Sequence, residues 1–444
     1  MKINNFLILI ATISLSLFSC ADLEDISPIN SIPTETAITT EASAKAALNG
    51  VYSEVQDADL VFDGWLALPQ FFSDEANATG TFPTRLEFGN LNVFPANSTM
   101  ATVFSDLYEV INVANNVIAL VPGVSEDGFT DAEKNNIVAE AKFLRAMCYL
   151  HLVTLWQDVP LVLVPTVDVG DVLNVVISSK DEIYNQIKTD LNDAVTNLTA
   201  PNSTFRASQQ SANALLARVA LYQGNWAEAQ SKAESVLGAG FDLTTVPYLS
   251  DQIYSLNFTT NDGNSLGFFY GTDDLGGRYS IGPSTALIAA FEPDDARFAA
   301  TIDSSSFTLP YGLKYPSFEA ANAGVATDPI YFIRHAEMVL IAAEAAAEQG
   351  DFDTASTYFN QVRTRAGLAE ITLDADNYVD TILKERFTEF AFEGPQRLID
   401  LRRRGKAEEV LGPIGYDACD AVWPLPQRDV DRNVNLQQNN CCNC

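Results

Sequence analysis

Only two histidines occur in the chain, His151 and His335, each within an apolar stretch with helical periodicity. A multi-histidine metal site is therefore excluded, and each ring is expected to be buried with a single hydrogen bond. Gly263-Asn264-Ser265-Leu266-Gly267 matches the Gly-x-Ser-x-Gly turn that presents a nucleophilic serine between a strand and a helix. The residues before it are polar and Phe268-Phe269-Tyr270 after it reads as a strand, so an ordinary turn is expected there. Asp57, Asp59 and Asp63, followed by Gly64, loosely resemble a calcium loop, but the spacing fails and solvated carboxylates are expected. With 58 acidic residues, a carboxylate pair suited to glycoside hydrolysis could be drawn almost anywhere, so none is informative. No catalytic residue, cofactor or metal site is expected.

Binding chemistry has better candidates. The apolar face of a sugar ring stacks on an aromatic ring while amides, carboxylates and guanidiniums bond its hydroxyls. Trp65, Phe82, Tyr270, Tyr279, Tyr311 and Tyr315 lie in segments rich in Gly, Pro, Asn and Asp. With Asp74, Asn77, Arg85 and Arg278 they form the expected ligand-binding set.

The elements that must hold such a platform are mostly helical. Phe104–Val121 places Leu107, Ile111, Ala114, Ile118 and Val121 on one face and ends at Pro122-Gly123. Asn136–Leu155 and Ser179–Leu198 follow the same period, the latter with Ser179 or Asp181 as cap. Ser211–Leu237 and Ile333–Ala366 each read as helix, Gly-polar-aromatic, helix, with Ala229 and Ala355 three residues after the aromatic. That pattern resembles a tetratricopeptide hairpin. The two copies are far apart in sequence, which argues against a plain solenoid. Helical order weakens at Asp57–Asn97 and Gly240–Asp328, where ordered loops and small strands are expected. The fold class is therefore mostly α: a right-handed superhelix of tetratricopeptide-like hairpins carrying an irregular, loop-rich subdomain.

Lys plus Arg number 26 against 58 acids, a formal charge of −32 in 444 residues. That balance disfavours nucleic acid and anionic lipid, both polyanions. Residues 1–19 read as a signal peptide, with Lys2 before an apolar run from Phe6 to Phe18. Leu17-Phe18-Ser19-Cys20 resembles a bacterial lipoprotein box, with Cys20 as the acylated residue. Cys148 reads as a core residue. Cys419, Cys441, Cys442 and Cys444 leave three readings open: disulfides holding the tail, a free tail, or a metal site.

Across the mature chain the motifs resemble the SusD/RagB family of Bacteroidetes surface nutrient-binding lipoproteins. Ala47-Leu48-Asn49-Gly50-Val51-Tyr52 and Leu107-Tyr108-Glu109-Val110-Ile111 match its first helices. Glu140-Ala141-Lys142-Phe143-Leu144-Arg145-Ala146 and Asp158-Val159-Pro160-Leu161 are more specific. Arg334-His335-Ala336-Glu337, Val362-Arg363-Thr364-Arg365-Ala366-Gly367-Leu368, Phe392-Glu393-Gly394 and Trp423-Pro424-Leu425-Pro426 are the most specific. The chain departs from the family at Gln157, where a glycine is usual, and at Pro395-Gln396-Arg397. The resemblance implies one domain over 20–444, with a helical scaffold at about 36–240 and 329–444 and a ligand-facing insertion at about 241–328. It implies a non-catalytic, outer-membrane, lipid-anchored protein facing the cell exterior. Such a protein binds an oligosaccharide or polysaccharide and partners a SusC-like TonB-dependent transporter; a peptide-binding member of the same architecture is the alternative. The acids Glu140 and Glu344 sit among helical alanines and need cations; Arg145, Arg334, Arg386 and Arg397 are the expected partners.

Overall fold

The computed structural model describes residues 37–439, apart from 168, 200–202, 241–242, 244–250 and 306–307. The signal segment, Cys20 and the tail cysteines Cys441, Cys442 and Cys444 lie outside the described residues.

Helix α1 (Glu41–Val55) starts at a capping box in which Thr40 accepts from the Ser43 N–H. Asn97 caps α2 (Ser98–Leu120), and Thr130 with Glu133 caps α3 (Asp131–Trp156). Ser179, one of the two anticipated caps, closes a box with Glu182 at the start of α4 (Lys180–Asn197). The two tetratricopeptide-like hairpins follow as α5 (Gln209–Tyr222) with α6 (Trp226–Leu237), and α7 (His335–Glu348) with α8 (Phe352–Arg365). Gly224 and Gly350 take φ of +70° and +81° at the turns, a conformation that favours glycine. Ala229 and Ala355 are fully buried beneath them.

These helices stack in an unbroken series, α2 on α3, α3 on α4, α4 on α5, and so on to α8. The contact between α6 and α7 spans the excursion of residues 238–334, so the two distant hairpins are spatial neighbours. Their separation in sequence is thus no separation in space, and the superhelix carries an excursion that a plain solenoid lacks. An insertion that leaves and returns at nearly the same place does not interrupt stacking. Helix α9 (Tyr378–Glu389) packs on α7 and on α10 (Gln396–Arg403).

Residues 57–97, expected as ordered loops and small strands, hold one short strand (Ala76–Ala78) but also more helix than expected. Leu60–Ala67 form a π-helix, followed by the short helices Leu68–Phe71 and Pro83–Gly89. Every residue of the π-helix is buried. Phe268-Phe269-Tyr270, read as a strand, belongs to a short helix (Leu266–Tyr270). Ser265 precedes that helix with no strand before it, so the nucleophile-turn geometry is absent there.

The strands form four two-stranded antiparallel sheets among the described residues. They pair β1 (Ala76–Ala78) with β5 (Ile281–Pro283), β2 (Val159–Pro160) with β3 (Ile177–Ser178), β4 (Gln252–Leu256) with β8 (Ile330–Arg334), and β6 (Ile302–Asp303) with β7 (Tyr311–Gly312). The β4–β8 pair closes the base of the excursion against α7.

At that base a buried network joins the excursion to α9. Arg334 contacts Asp251 at 2.9 Å, Glu389 at 2.8 Å and Glu393 at 2.7 Å. Arg297 contacts Asp295 at 2.8 Å, Glu385 at 2.7 Å and Glu389 at 3.0 Å, and Arg365 also pairs with Glu389. Burial alone would raise the Glu389 carboxyl, but the charges of Arg365, Arg334 and Arg297 hold it far below the usual carboxylate range.

Glu140 and Glu344 are ion-paired as chemistry requires, but to other arginines than expected. Glu140 meets Arg206 at 2.9 Å and accepts from the Tyr52 hydroxyl at 2.8 Å. Glu344 accepts from Arg403 at 2.5 and 2.7 Å. Arg145 instead grips Asp190 with two bonds of 2.8 and 2.9 Å, and Arg386 meets Asp400 at 2.6 Å. His151 is buried with its ring 4.6 Å from Trp65, and burial pushes its pKa down to about 3. Cys148 is buried in the core.

Candidate functional site

The expected binding residues divide sharply. Trp65 is buried by the π-helix, its Nε1 donating to the Val55 carbonyl at 3.2 Å and its ring 5.0 Å from Phe332. The wider turn of that helix sends Trp65 inward while Phe62 and Asp63 point toward Arg85. Tyr270, Tyr311 and Tyr315 are buried as well. Tyr270 donates to Gln70 at 3.0 Å, Tyr311 to Asp303 at 3.0 Å and Tyr315 to the Phe392 carbonyl at 3.0 Å. These four rings are therefore corrected from ligand contacts to core: each hydroxyl or indole N–H has a protein partner, and each ring lies out of solvent.

Asp74 and Arg85 are corrected too. Asp74 holds Arg397 of α10 by two bonds of 2.7 Å. Arg85 holds Asp63 by bonds of 2.7 and 2.9 Å. Burial pushes the Asp63 carboxyl up, and the Arg85 hydrogen bonds and charge oppose that shift. Neither side chain is free to orient a sugar hydroxyl. The loose calcium reading fails for the same reason, since Asp63 turns to Arg85. Among the described residues no cluster of three or more His, Cys, Asp or Glu is placed to hold a metal ion.

Asn77, Phe82, Arg278 and Tyr279 remain at the surface and are brought together by the β1–β5 pair. Asn77 lies opposite Gly282 in the register, and Thr79 extends the pairing by donating to the Ser280 carbonyl at 3.2 Å. The loop from Gly271 to Ser280 folds back on the short helix before it. Arg278, Ser280 and Tyr279 donate to the carbonyls of Phe268, Phe269 and Gly271 at 2.7, 2.7 and 2.8 Å. Gly277 passes so close to Gly271 that a Cβ would fall 2.2 Å from its carbonyl oxygen, which only glycine allows. This fold-back sets the Arg278 guanidinium 4.4 Å from the centre of the Phe82 ring. Arg85 lies 4.6 Å from the same centre and 4.5 Å from that of Phe62, which packs on Phe269 at 3.9 Å. Phe82 is 37% exposed. The result is a column of rings and guanidiniums rising from the core to the surface and ending in Arg278.

Tyr279 takes φ of +48°, unusual for a tyrosine. Its ring lies over Gly282, where an added Cβ would meet the hydroxyl at 2.6 Å, and that hydroxyl donates to the Pro310 carbonyl at 2.8 Å. A half-buried ring held at both ends is a rigid edge for a ligand. The residues missed by sequence reasoning are Thr79 and Thr81, both exposed beside Asn77. The alternation Asn77-Ala78-Thr79-Gly80-Thr81 was a legible sign, because every second side chain of an extended segment faces one way.

Two family models match the chain: one described as the SusD family over residues 299–417, the other as starch-binding associating with the outer membrane over residues 27–221. The chain belongs to the SusD family. A SusD-like protein of Formosa agariphila, P2, is 28% identical, the alignment covering 96% of this chain and 97% of that relative. A solved laminarin-binding SusD-like protein matches this SusD-family fold with a TM-score of 0.79 at 25% identity, over 91% of this chain and 100% of the other. A surface glycan-binding protein A from Bacteroides fluxus matches with a TM-score of 0.74 at 21% identity, over 91% and 100%. Among the described residues of this SusD-family chain, no helix is long and apolar enough to cross a membrane.

Proposed function

We propose that the chain is a glycan-binding lipoprotein of the outer-membrane surface that captures an oligosaccharide and passes it to a SusC-like TonB-dependent transporter. Binding and delivery are its whole mechanism; no bond is made or broken. Acylation of Cys20 anchors it, and two or more chains at about 0.8 kcal/mol per buried methylene make that anchor stable.

The observation that carries this reading is the match, along nearly its whole length, to a laminarin-binding relative. The local geometry supports it. Tyr279 and the Arg278–Phe82 stack offer ring and guanidinium surface, while the exposed Asn77 and Thr81 offer an amide oxygen and a hydroxyl beside the strand pair, the Thr79 hydroxyl being held by the Tyr279 carbonyl. Flat apolar area supplies affinity and the polar groups select the orientation of the ring hydroxyls. In this proposal residues 20–444 form one unit, with 241–328 as the ligand-facing insertion that supplies β5 and Tyr279.

Calorimetric titration of residues 20–444 against a polysaccharide panel, followed by analysis of the glycan for cleavage, tests the reading. Saturable heat with intact glycan is expected. Released product would make the protein an enzyme and overturn the proposal. Silence across the panel would favour a peptide ligand, a basic one given the charge.

A further inference from the structure

In a chain with 58 acids and 26 Lys and Arg, most arginines among the described residues pair with a carboxylate. Arg85, Arg145, Arg218, Arg334 and Arg397 each pair with a carboxylate at 2.9 Å or less. Arg278 differs. Its side chain is exposed, rests on Phe82 at 4.4 Å, and makes no ion pair among the described residues. Asp273 and Asp274 stand on the same loop, exposed, yet neither reaches the guanidinium within ion-pair distance.

An exposed arginine resting over a ring leaves N–H donors open to solvent and has less rotamer freedom to lose on binding. Such a fork matches a carboxylate or sulfate with two parallel hydrogen bonds. Resting on the reading of this surface as a glycan site, we propose that the glycan bound there carries an acidic substituent, a uronate carboxylate or a sulfate ester, that docks on Arg278. The net charge of −32 does not defeat such docking. Repulsion from carboxylates further than the Debye length of about 8 Å is screened at physiological salt, whereas a bidentate contact acts at hydrogen-bond distance.

The test uses matched ligands and the full chain in detergent. A sulfated galactan is compared with its desulfated form, and a polyuronate with its carboxyl-reduced form, against wild type, Arg278→Gln and Phe82→Ala. The expected result is that one acidic member binds about tenfold more tightly than its neutral counterpart, and that this ratio falls to near one in Arg278→Gln with an unchanged melting temperature. The pair that shows the ratio identifies carboxylate or sulfate as the group. A ratio near one in wild type overturns the proposal, as does a ratio that survives Arg278→Gln. If neutral glycans bind and Phe82→Ala weakens them while Arg278→Gln alters no ratio, the glycan site stands and the acidic substituent falls. If no glycan binds wild type, the site reading itself fails and this proposal with it.

Discussion

Arg334 and Arg278 show how differently this chain treats the same side chain. Arg334 is enclosed by Asp251, Glu389 and Glu393 at the base of the excursion. Arg278, at its outer edge, rests its side chain on the Phe82 ring and makes no ion pair among the described residues. A buried guanidinium must be neutralised, because desolvation costs several kcal/mol per ion. An exposed one faces no such demand, so leaving it unpaired costs little and keeps a contact open for a partner from outside. The fully paired region identifies scaffold; the unpaired one identifies surface available for recognition.

The strongest way to break that contrast is Glu389→Gln. Three guanidiniums, Arg297, Arg334 and Arg365, would then share too little negative charge, and unfolding free energy should fall by about 3–5 kcal/mol in denaturant titration. A loss below about 1 kcal/mol would show that the network is dispensable and the contrast empty.

Glu75 sharpens it from another side. This buried acid precedes β1, and its carboxylate accepts the Phe392 N–H at 2.7 Å, with Lys314 committed to Glu393. Burial pushes its pKa up to about 8. The folded pKa lies above the unfolded one, so its contribution is complete below about pH 4.5 and is lost as pH rises through about 8. Glu75→Gln should therefore match wild type at pH 4.5 and exceed it by a few kcal/mol at pH 8.5 in thermal melts. Equal pH profiles for the two proteins would place a cation against Glu75.

At the surface the balance should reverse. Tyr279→Ala is expected to weaken glycan binding about tenfold by calorimetry while costing about 1 kcal/mol of stability, since its ring is half exposed and its φ is strained. Trp65→Ala should do the opposite, lowering stability by about 3–5 kcal/mol as a buried ring. A Tyr279 variant that melts early would return that residue to the scaffold.

The smallest effect concerns Gln157, which follows α3 with φ of +60° and ψ of −97°. Gln157→Gly should stabilise by about 1 kcal/mol, because glycine reaches that region without a Cβ penalty. Unchanged melting would show that other contacts of Gln157 offset the strain.

The helices were legible because periodicity is local, and local capping chemistry narrowed the start of α4 to Ser179 or Asp181, of which the structure uses Ser179. The ion pairs were legible in kind, since Glu140 and Glu344 needed cations. Their partners, Arg206 and Arg403, were not, because three-dimensional packing selects among many arginines. The aromatics were least legible. Trp65, Tyr270, Tyr311 and Tyr315 lie in sequence without strong periodicity, yet short helices and turns pack there as tightly as the long helices do. Large rings fill such irregular cores efficiently, so an aromatic among glycines and prolines carries little information about its exposure. Asp74 and Arg85 failed similarly, for each looks like a loop residue until α10 or the π-helix is in place.

The β1–β5 pair also sets a schedule. Asn77 and the Pro283 carbonyl that its amide reaches are 206 residues apart in the chain. During synthesis the first strand must wait, unpartnered, until the 206 residues up to Pro283 have followed it. Closing so long a loop is entropically costly and is expected late, after the helices that bring its ends together have formed. Ligand capture at this edge would then double as a certificate of completed folding: a molecule that holds a ligand there has already joined its early and late segments.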